Sequence, residues 1–260
     1  MKIPIYQVDA FSDRLFAGNP AAVCPLESWI PDERMQQIAG ENNLAETAFF
    51  TRKDDDYHIR WFTPAVEVDL CGHATLASAH VLFNHLGYKR KEIRFDSRSG
   101  WLTVSKEGDL LTLDFPADVF APAPPPELLV KSLGVTPAET YFGKTDWMVV
   151  LKDQRAVEEI TPDLGLMAGV PGRGVIITAR GDQSDFVSRF FGPQSGVPED
   201  PVTGSAHTTL APFWAGRLGK QTLEARQLSR RGGWLRCTVA GDRVRISGNA
   251  RTFLTGEIEF

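Results

Sequence analysis

The sequence is poor in cysteine and has no excess of basic residues. Its 260 residues include three cysteines, Cys24, Cys71 and Cys237, and no apolar leader follows basic residues at the N-terminus. We therefore expect reduced thiols and a cytoplasmic protein. The formal net charge is −5. The chain therefore lacks the excess of basic residues that is typical of a nucleic-acid-binding protein, and we expect no nucleic-acid partner.

Membrane, metal and cofactor signals are also missing. No apolar run is long enough to cross a bilayer, so no membrane partner is expected. The histidines lack the spacing of metal ligands. The glycine-rich segment 165–174 precedes a predicted strand instead of following one, which is the wrong order for a phosphate-binding loop. We predict neither a metal nor a cofactor.

The chain does contain an internal repeat. The turn around Gly72 has a counterpart around Gly204, and flanking motifs match at offsets that drift from 129 to 133 residues. One matched pair is Arg60–Pro64 with Arg189–Pro193, and another is Thr47-Ala48 with Thr178-Ala179. An ordered offset over most of the chain predicts two copies of one domain.

Each copy is predicted to contain many short strands and one long helix, which is an α+β pattern. A single helix cannot cover so many strands lying flat, so each mostly antiparallel sheet should roll around its central helix. The predicted helices cover residues 72 to about 86 and 204 to about 218, where Pro212 should kink or shorten the second helix. A proline-rich linker places the domains at residues 1–116 and 117–260.

The two repeated turns are candidate ligand sites. Gly72 and His73, and likewise Gly204 and Ser205, should offer free backbone amides at a helix N-terminus. Such amides favour an anionic ligand such as a carboxylate. We therefore expect a small carboxylate to bind these four residues.

Glu46 is the strongest candidate for a catalytic group. It lies in an apolar strand, and the sequence alignment gives it the apolar mate Ile177. A carboxylate in a buried position loses hydration, so we predict a raised pKa and a general acid/base role. The alternative is an exposed glutamate on an edge strand.

His73 and Asp200 have two interpretations each. A single histidine at a helix start usually has no role, and an aspartate before a helix is most often a cap. If the two turns face one cleft, Asp200 is instead a partner for His73 or for a substrate amino group.

These motifs together resemble the PhzF family of phenazine-biosynthesis-like proteins. The resemblance runs from end to end and rests on five stretches: 7–11, 16–20, 43–47, 69–75 and 199–206. It implies the diaminopimelate-epimerase fold of two similar domains, whose last strand often returns to the first domain, here residues 251–260. It also implies a cofactor-free isomerase that is commonly a homodimer.

The resemblance assigns roles to particular residues. Glu46 takes the proton-shuttling role on a cyclic, amino-acid-like carboxylate, and His73, Asp200 and Ser205 take substrate-binding roles. We place Asn19, from the 16–20 motif, among the binding residues.

The epimerase relatives use two opposed cysteines, one before each turn glycine. Here Cys71 holds the first position but Thr203 holds the second, which disfavours two-thiol racemisation, and a structural Cys71 is preferred. Two alternatives to a PhzF-like isomerase stay open. They are an amino-acid racemase or epimerase using Glu46 and another base, and a non-catalytic binding protein on this fold.

Overall fold

The computed structural model describes every residue from Met1 to Phe260 as two compact units. The N-terminal unit comprises Met1–Phe115 and Ile246–Phe260, and the C-terminal unit comprises Pro116–Arg245. Both units consist mainly of strands with few helices, which confirms the predicted α+β class. No helix in the chain is both long and apolar enough to cross a membrane.

The strands and helices alternate in a similar order in the two units. The strands are β1 (Lys2–Ala10), β2 (Asn19–Leu26), β3 (Glu46–Lys53), β4 (Asp56–Phe62), β5 (Glu67–Val68), β6 (Glu92–Ser97), β7 (Gly100–Glu107), β8 (Leu110–Pro116), β9 (Ala121–Pro122), β10 (Glu139–Phe142), β11 (Asp146–Val150), β12 (Gly174–Arg180), β13 (Phe186–Gly192), β14 (Val197–Asp200), β15 (Thr222–Gln227), β16 (Gly233–Ala240), β17 (Arg243–Gly248) and β18 (Ala250–Glu259). The helices are α1 (Asp32–Asn42), α2 (Gly72–Asn84), α3 (Glu127–Leu133), α4 (Gln154–Glu159), α5 (Leu164–Met167) and α6 (Ala206–Leu218), and a 3₁₀ turn covers Pro193–Ser195.

The strands of the two units pair in the same order. In the N-terminal unit, β18, β1, β2, β3 and β4 are neighbours, and β4 pairs with β5 at one end and with β6 at the other before β7 and β8 follow. In the C-terminal unit, β9 to β13 are neighbours, and β13 pairs with β14 and with β15, which pairs with β16. Two strand pairs in each unit are parallel, at equivalent places: β2–β3 and β4–β6, then β11–β12 and β13–β15.

The strand register corrects the mate assigned to Glu46. Phe49 lies opposite Arg60 in one unit, and Ile177 lies opposite Arg189 in the other. Ile177 therefore corresponds to Phe49, and Glu46, the first residue of β3, corresponds to Gly174, the first residue of β12. The sequence alignment was wrong by three residues here because it followed the chance match of two Thr-Ala pairs.

One helix is buried against the sheet in each unit. All ten residues from 73 to 82 of α2 are buried, and α2 packs against β1, β2, β3, β7 and β18. This contact with strands from across the sheet is what a sheet rolled around a central helix requires. In the C-terminal unit α6 packs against β15 and β16, and its apolar face includes Leu210 and Trp214.

Pro212 does not shorten α6, so that part of the prediction is wrong. Both α2 and α6 have 13 residues. A proline cannot donate to the carbonyl four residues earlier, which here belongs to Thr208. The Asp118 amide donates to that carbonyl instead, at 3.1 Å. The backbone acceptor is therefore satisfied, and the helix continues through the proline.

Candidate active site

A buried carboxylate and an imidazole meet at the start of α2. Glu46 begins β3, three residues after Asn43, which caps α1 in a left-handed conformation with φ of 49°. His73 is the second residue of α2. The Glu46 Oε2 and His73 Nε2 atoms lie 3.1 Å apart, and the side chains are 17% and 6% exposed. Water is largely excluded from this pair, so each group strongly affects the ionisation of the other.

Asn19 holds the other side of the His73 ring. It begins β2, has no exposed surface, and places Nδ2 3.1 Å from His73 Nδ1. An amide nitrogen only donates, so this arrangement suits an unprotonated Nδ1. If the amide turns over, Oδ1 accepts from a protonated Nδ1 instead. Asn19 therefore fits both protonation states of His73, and the structure places it behind the imidazole, not on an open surface.

Cys71 completes the cluster on the N-terminal side of α2. Its Sγ lies 3.5 Å from His73 Nδ1 and 4.0 Å from Nε2. Burial, together with the negative charge of Glu46, raises the pKa of the Cys71 thiol to about 11. The thiol therefore stays protonated near neutral pH and donates a hydrogen bond to Glu46, so it is not available as a base.

The pair of Glu46 and His73 is zwitterionic. Burial by itself would raise the pKa of Glu46, but the His73 charge and hydrogen bonds from His73 and Cys71 lower it below its ordinary value. Burial by itself would lower the pKa of His73, but Cys71 and Glu46 raise it well above its ordinary value. Both directions favour a carboxylate facing an imidazolium.

The predicted raised pKa of Glu46 is therefore wrong. The strand pattern correctly indicated a carboxylate shielded from water, but it could not show that a cation lies 3.1 Å away. In this structure the attraction of His73 outweighs desolvation. Glu46 is consequently a base in its resting state, and His73 holds the proton. Within the N-terminal unit, the partner of His73 is Glu46.

The corresponding turn of the C-terminal unit carries different groups. Asp200 ends β14 and accepts a hydrogen bond from the Thr203 hydroxyl at 2.5 Å. Gln227 holds this turn, since its Oε1 accepts from the Thr203 amide and its Nε2 donates to the Asp200 carbonyl. Gly204 and Ser205 form the last turn before α6, which begins at Ala206, two residues later than predicted.

Ser205 contacts a guanidinium that the sequence analysis did not single out. Arg173 donates to Ser205 Oγ at 3.0 Å and to both carboxylate oxygens of Asp146. Its side chain is 40% exposed, whereas Asp146 is only 6% exposed. Because the Ser205 oxygen accepts from Arg173, its hydroxyl hydrogen remains available to a ligand. The signal in the sequence was one arginine in a glycine-rich turn, directly before β12.

The predicted residues thus fall into two groups. Asn19, Glu46, Gly72 and His73 lie together in the N-terminal unit, and Asp200, Gly204 and Ser205 lie together in the C-terminal unit. Ligand atoms of Glu46, Cys71 and His73 lie within 4.8 Å of one another, a spacing that a divalent cation could bridge. The carboxylate and the imidazole already neutralise each other, so we interpret this cluster as a proton-transfer site.

Comparisons with solved structures define the class of fold. A hydroxyproline epimerase from Agrobacterium vitis matches 99% of this chain and 92% of its own with a TM-score of 0.61 at 11% identity. A predicted epimerase from Pseudomonas aeruginosa matches 99% of both chains with a TM-score of 0.76 at 20% identity. The protein therefore has the diaminopimelate-epimerase-like fold, as predicted.

Closer relatives define the family. The family model described as phenazine biosynthesis-like protein, PhzC-PhzF, matches residues 8–256, and the chain belongs to this family. A PhzF-family protein from Enterococcus faecalis has 48% identity and a TM-score of 0.97 over 100% of both chains. The chain is also 54% identical to an uncharacterised isomerase of P. aeruginosa, over 99% of both, and 40% identical to a bovine phenazine biosynthesis-like domain-containing protein, again over 99% of both.

Proposed function

We propose that the protein is a cofactor-free isomerase that moves a proton between carbon atoms of a small carboxylate. The observation that carries the proposal is the buried pair of Glu46 and His73, whose pKa shifts leave a carboxylate facing an imidazolium. The name of its P. aeruginosa relative, an uncharacterised isomerase, supports the same reaction class.

Glu46 serves as the base and then as the acid. First, a substrate C–H bond breaks, an O–H bond forms on Glu46, and the electron pair delocalises into the conjugated carboxylate. Next, the O–H bond of Glu46 breaks, a C–H bond forms at the other end of the conjugated system, and the double bond shifts. The positive charge of His73 stabilises the anionic intermediate, and burial strengthens that attraction.

A single base distinguishes this reaction from two-base racemisation. Racemisation by two opposed groups needs a second base that is poised near neutral pH. Cys71 has a pKa of about 11 and lies on the same side as Glu46. Thr203 takes the place of the second cysteine, and its hydroxyl donates to Asp200. The cluster therefore favours a proton shift on one face of the substrate over a racemase.

The binding roles remain those that the sequence suggested, with one change. Backbone amides of Gly72 and His73, and of Gly204 and Ser205, bind carboxylate oxygens, and Asp200 binds a substrate amino group. Asn19 has a positioning role instead of a binding role, because it is completely buried and contacts His73. We also propose a homodimer in the cytoplasm.

A non-catalytic binding protein is the other class to exclude. Burying a carboxylate and an imidazole is costly unless they neutralise each other, and a binding protein gains little from this pair. Small carboxylates, including cyclic and conjugated amino acids, should be incubated with the protein in deuterated water and followed by NMR. An isomerase incorporates deuterium at carbon with accumulation of a regioisomer, whereas a binding protein produces no exchange.

A labelled substrate in ordinary water distinguishes one base from two. A substrate deuterated at the labile carbon should keep part of its label in the product, because Glu46 returns the deuteron that it removed before exchanging it fully with water. Complete loss of label together with inversion at one carbon would indicate the two-base racemase instead.

A further inference from the structure

A polar cavity lies at the C-terminal end of α2, within the N-terminal unit. It has a volume of about 290 Å³. We name it the distal cavity, and its polar lining includes His80, Asn84, His85, Lys106, Arg251 and Thr252. His80 lies seven residues, about two helical turns, beyond His73 on α2. None of these side chains has a part in the proposed proton transfer.

A hydrogen-bond chain with one direction runs through this lining. Lys106 only donates, so its bond to Asn84 Oδ1 at 2.9 Å fixes the Asn84 amide. Asn84 Nδ2 then faces His80 Nδ1, at 2.9 Å, and His80 must accept there. His80 consequently carries its proton on Nε2 and donates it to Thr252 Oγ1, also at 2.9 Å. The chain holds His80 in one neutral tautomer.

The charges around this neutral histidine are predominantly positive. Burial and the charges of His85, Lys106 and Arg251 lower the pKa of His80 to about 4. Asp109 is the only acidic residue in the lining, and the ring of Tyr6 on β1 packs on His85 with centroids 4.9 Å apart. The potential at the His80 ring is therefore positive.

Several donors in the lining remain available to a ligand. Arg251 uses only Nε within the protein, donating to the Asp13 carbonyl at 2.9 Å, which leaves its two terminal nitrogens. Lys106 makes one hydrogen bond to a side chain and has two further N–H groups. Thr252 also lies 2.7 Å from His85 Nε2. When His85 donates to Thr252, the threonine hydroxyl is free to donate outwards.

We infer that the distal cavity binds a phosphoryl-type oxyanion, either free phosphate or the phosphate group of a small monoester, through Lys106, Arg251 and Thr252. Two fixed cations favour a dianion over a singly charged carboxylate. Both ring nitrogens of His80 are already used by Asn84 and Thr252, so a transition metal would have to break this chain.

The end of α2 does not prevent anion binding. The negative end of a helix dipole disfavours anions where its last carbonyls are free. Here the Val81 carbonyl accepts from the amides of His85 and Leu86, and the Leu82 carbonyl accepts from the Tyr88 amide. These carbonyls are satisfied by backbone donors, which reduces their effect on the cavity.

The test uses inorganic phosphate as the probe with the full-length protein. NMR of the histidine rings and calorimetry at low ionic strength should give a Kd on the order of 1 mM for phosphate. Binding of acetate should be at least about tenfold weaker. Saturating phosphate should shift the His80 and His85 ring signals and move the His80 pKa upwards from about 4, because the anion offsets the charges of Lys106 and Arg251.

Two variants and one control test the residues. Lys106→Gln and Arg251→Gln should each weaken phosphate binding about tenfold, the effect of losing one charged hydrogen bond. Lys2→Gln removes the same charge at the far end of the β1–β18 ladder, where Lys2 lies opposite Glu259, and should leave the Kd unchanged. Circular dichroism of each variant checks that the fold is retained.

Phenyl phosphate distinguishes the two ligand sources. Tighter binding of phenyl phosphate than of phosphate would assign the cavity to a phosphorylated small molecule, and equal or weaker binding would assign it to the free ion. The inference is overturned if phosphate leaves the ring signals of His80 and His85 unchanged, or if Lys2→Gln weakens binding as much as the cavity variants. Saturable binding of Zn²⁺ without phosphate binding would also overturn it.

Discussion

The two units place opposite charges against equivalent positions of their helix-start turns. In the N-terminal unit, His73 contacts the carboxylate of Glu46 at 3.1 Å. In the C-terminal unit, the matching Ser205 contacts the guanidinium of Arg173 at 3.0 Å. One turn therefore carries a group that can move a proton, and the other carries a permanent cation and a hydroxyl. The repeat supplies one scaffold with two kinds of chemistry.

Outside the turns, the units retain the same supporting contacts. Arg60 binds Glu67 through Nε and a terminal nitrogen at 2.7 and 2.8 Å. Arg189 binds Glu199 in the same way at 2.7 and 3.1 Å. Each arginine lies on the strand before the turn and each glutamate on the short strand leading into it. These paired contacts are structural because both units share them, whereas the position of Glu46 is occupied by Gly174 in the C-terminal unit.

The largest expected effect comes from removing the base. Glu46→Gln keeps the size and hydrogen bonding of the side chain but cannot accept a proton from carbon. We expect turnover to fall by at least about a hundredfold, with carboxylate binding retained. The matched control is Glu67→Gln, since that carboxylate lies in the structural pair. Full activity of Glu46→Gln on an identified substrate would place the base elsewhere.

Arg60 and Arg189 test the arginine–glutamate pair that both units share. Arg60 and Arg189 each have side chains only 13% exposed. Arg189→Met leaves the mostly buried Glu199 carboxylate without its arginine, so we expect a loss of about 3 kcal/mol in the free energy of unfolding. Arg60→Met should cost less, because Arg98 also contacts Glu67, at 2.6 Å. Denaturant unfolding of both variants measures this. A large loss in one unit and none in the other would show that the two pairs are not equivalent.

A substitution at Asn19 tests how His73 is held in place and kept protonated. Asn19→Leu removes both the donor and the acceptor facing Nδ1, so the ring is held less well and the imidazolium loses an acceptor. We expect kcat to fall about tenfold with little change in KM, and the alkaline limb of the pH profile to move to lower pH. Asn42→Leu, whose amide bonds Thr47 instead, is the control. An unchanged pH profile would limit Asn19 to a packing role.

The smallest effect concerns acid stability, with one histidine from each unit. Burial lowers the pKa of His80 and of His207 to about 4. Between pH 6.5 and 4 the unfolded chain therefore binds more protons than the folded protein, and stability falls as the pH falls. Each histidine should lower the free energy of unfolding by about 1 kcal/mol at pH 5.5. His207→Asn should lose less stability between pH 7.5 and 5.5 than the wild type does, and an identical loss would contradict the assignment.

The fold could be predicted from the sequence because the repeat consists of matched residues that keep the same order over most of the chain. The turn glycines, the matched arginines and the apolar helices survive in both copies, so their spacing predicts two similar α+β units. The alignment of the two copies failed at β12, where two Thr-Ala pairs favoured a register shifted by three residues. Hydrogen bonding between strands, not residue identity, determines that register.

The sequence predicted which residues form the site, but it did not predict the ionisation state of Glu46. Glu46, His73 and Asn19 were all selected from local motifs, yet they lie 27 and 54 residues apart along the chain. A pKa depends on distances between such residues, and a single sequence does not contain those distances. The same reason explains why Arg173 was missed, since its importance comes from its contacts with Asp146 and Ser205.

The most direct test of the central claim is an NMR titration of His73 in the wild-type protein and in Glu46→Gln. A histidine with a raised pKa contributes stability that is complete below pH 6.5 and is lost as the pH rises through its folded pKa. Glu46, with a lowered pKa, contributes stability above pH 4.5 that is lost as the pH falls through its folded pKa.

We predict that wild-type His73 titrates clearly above pH 6.5, and that Glu46→Gln lowers the pKa of His73 by at least about one unit, because the carboxylate charge is lost. A wild-type His73 that titrates at or below pH 6.5, or one unaffected by Glu46→Gln, would contradict the account.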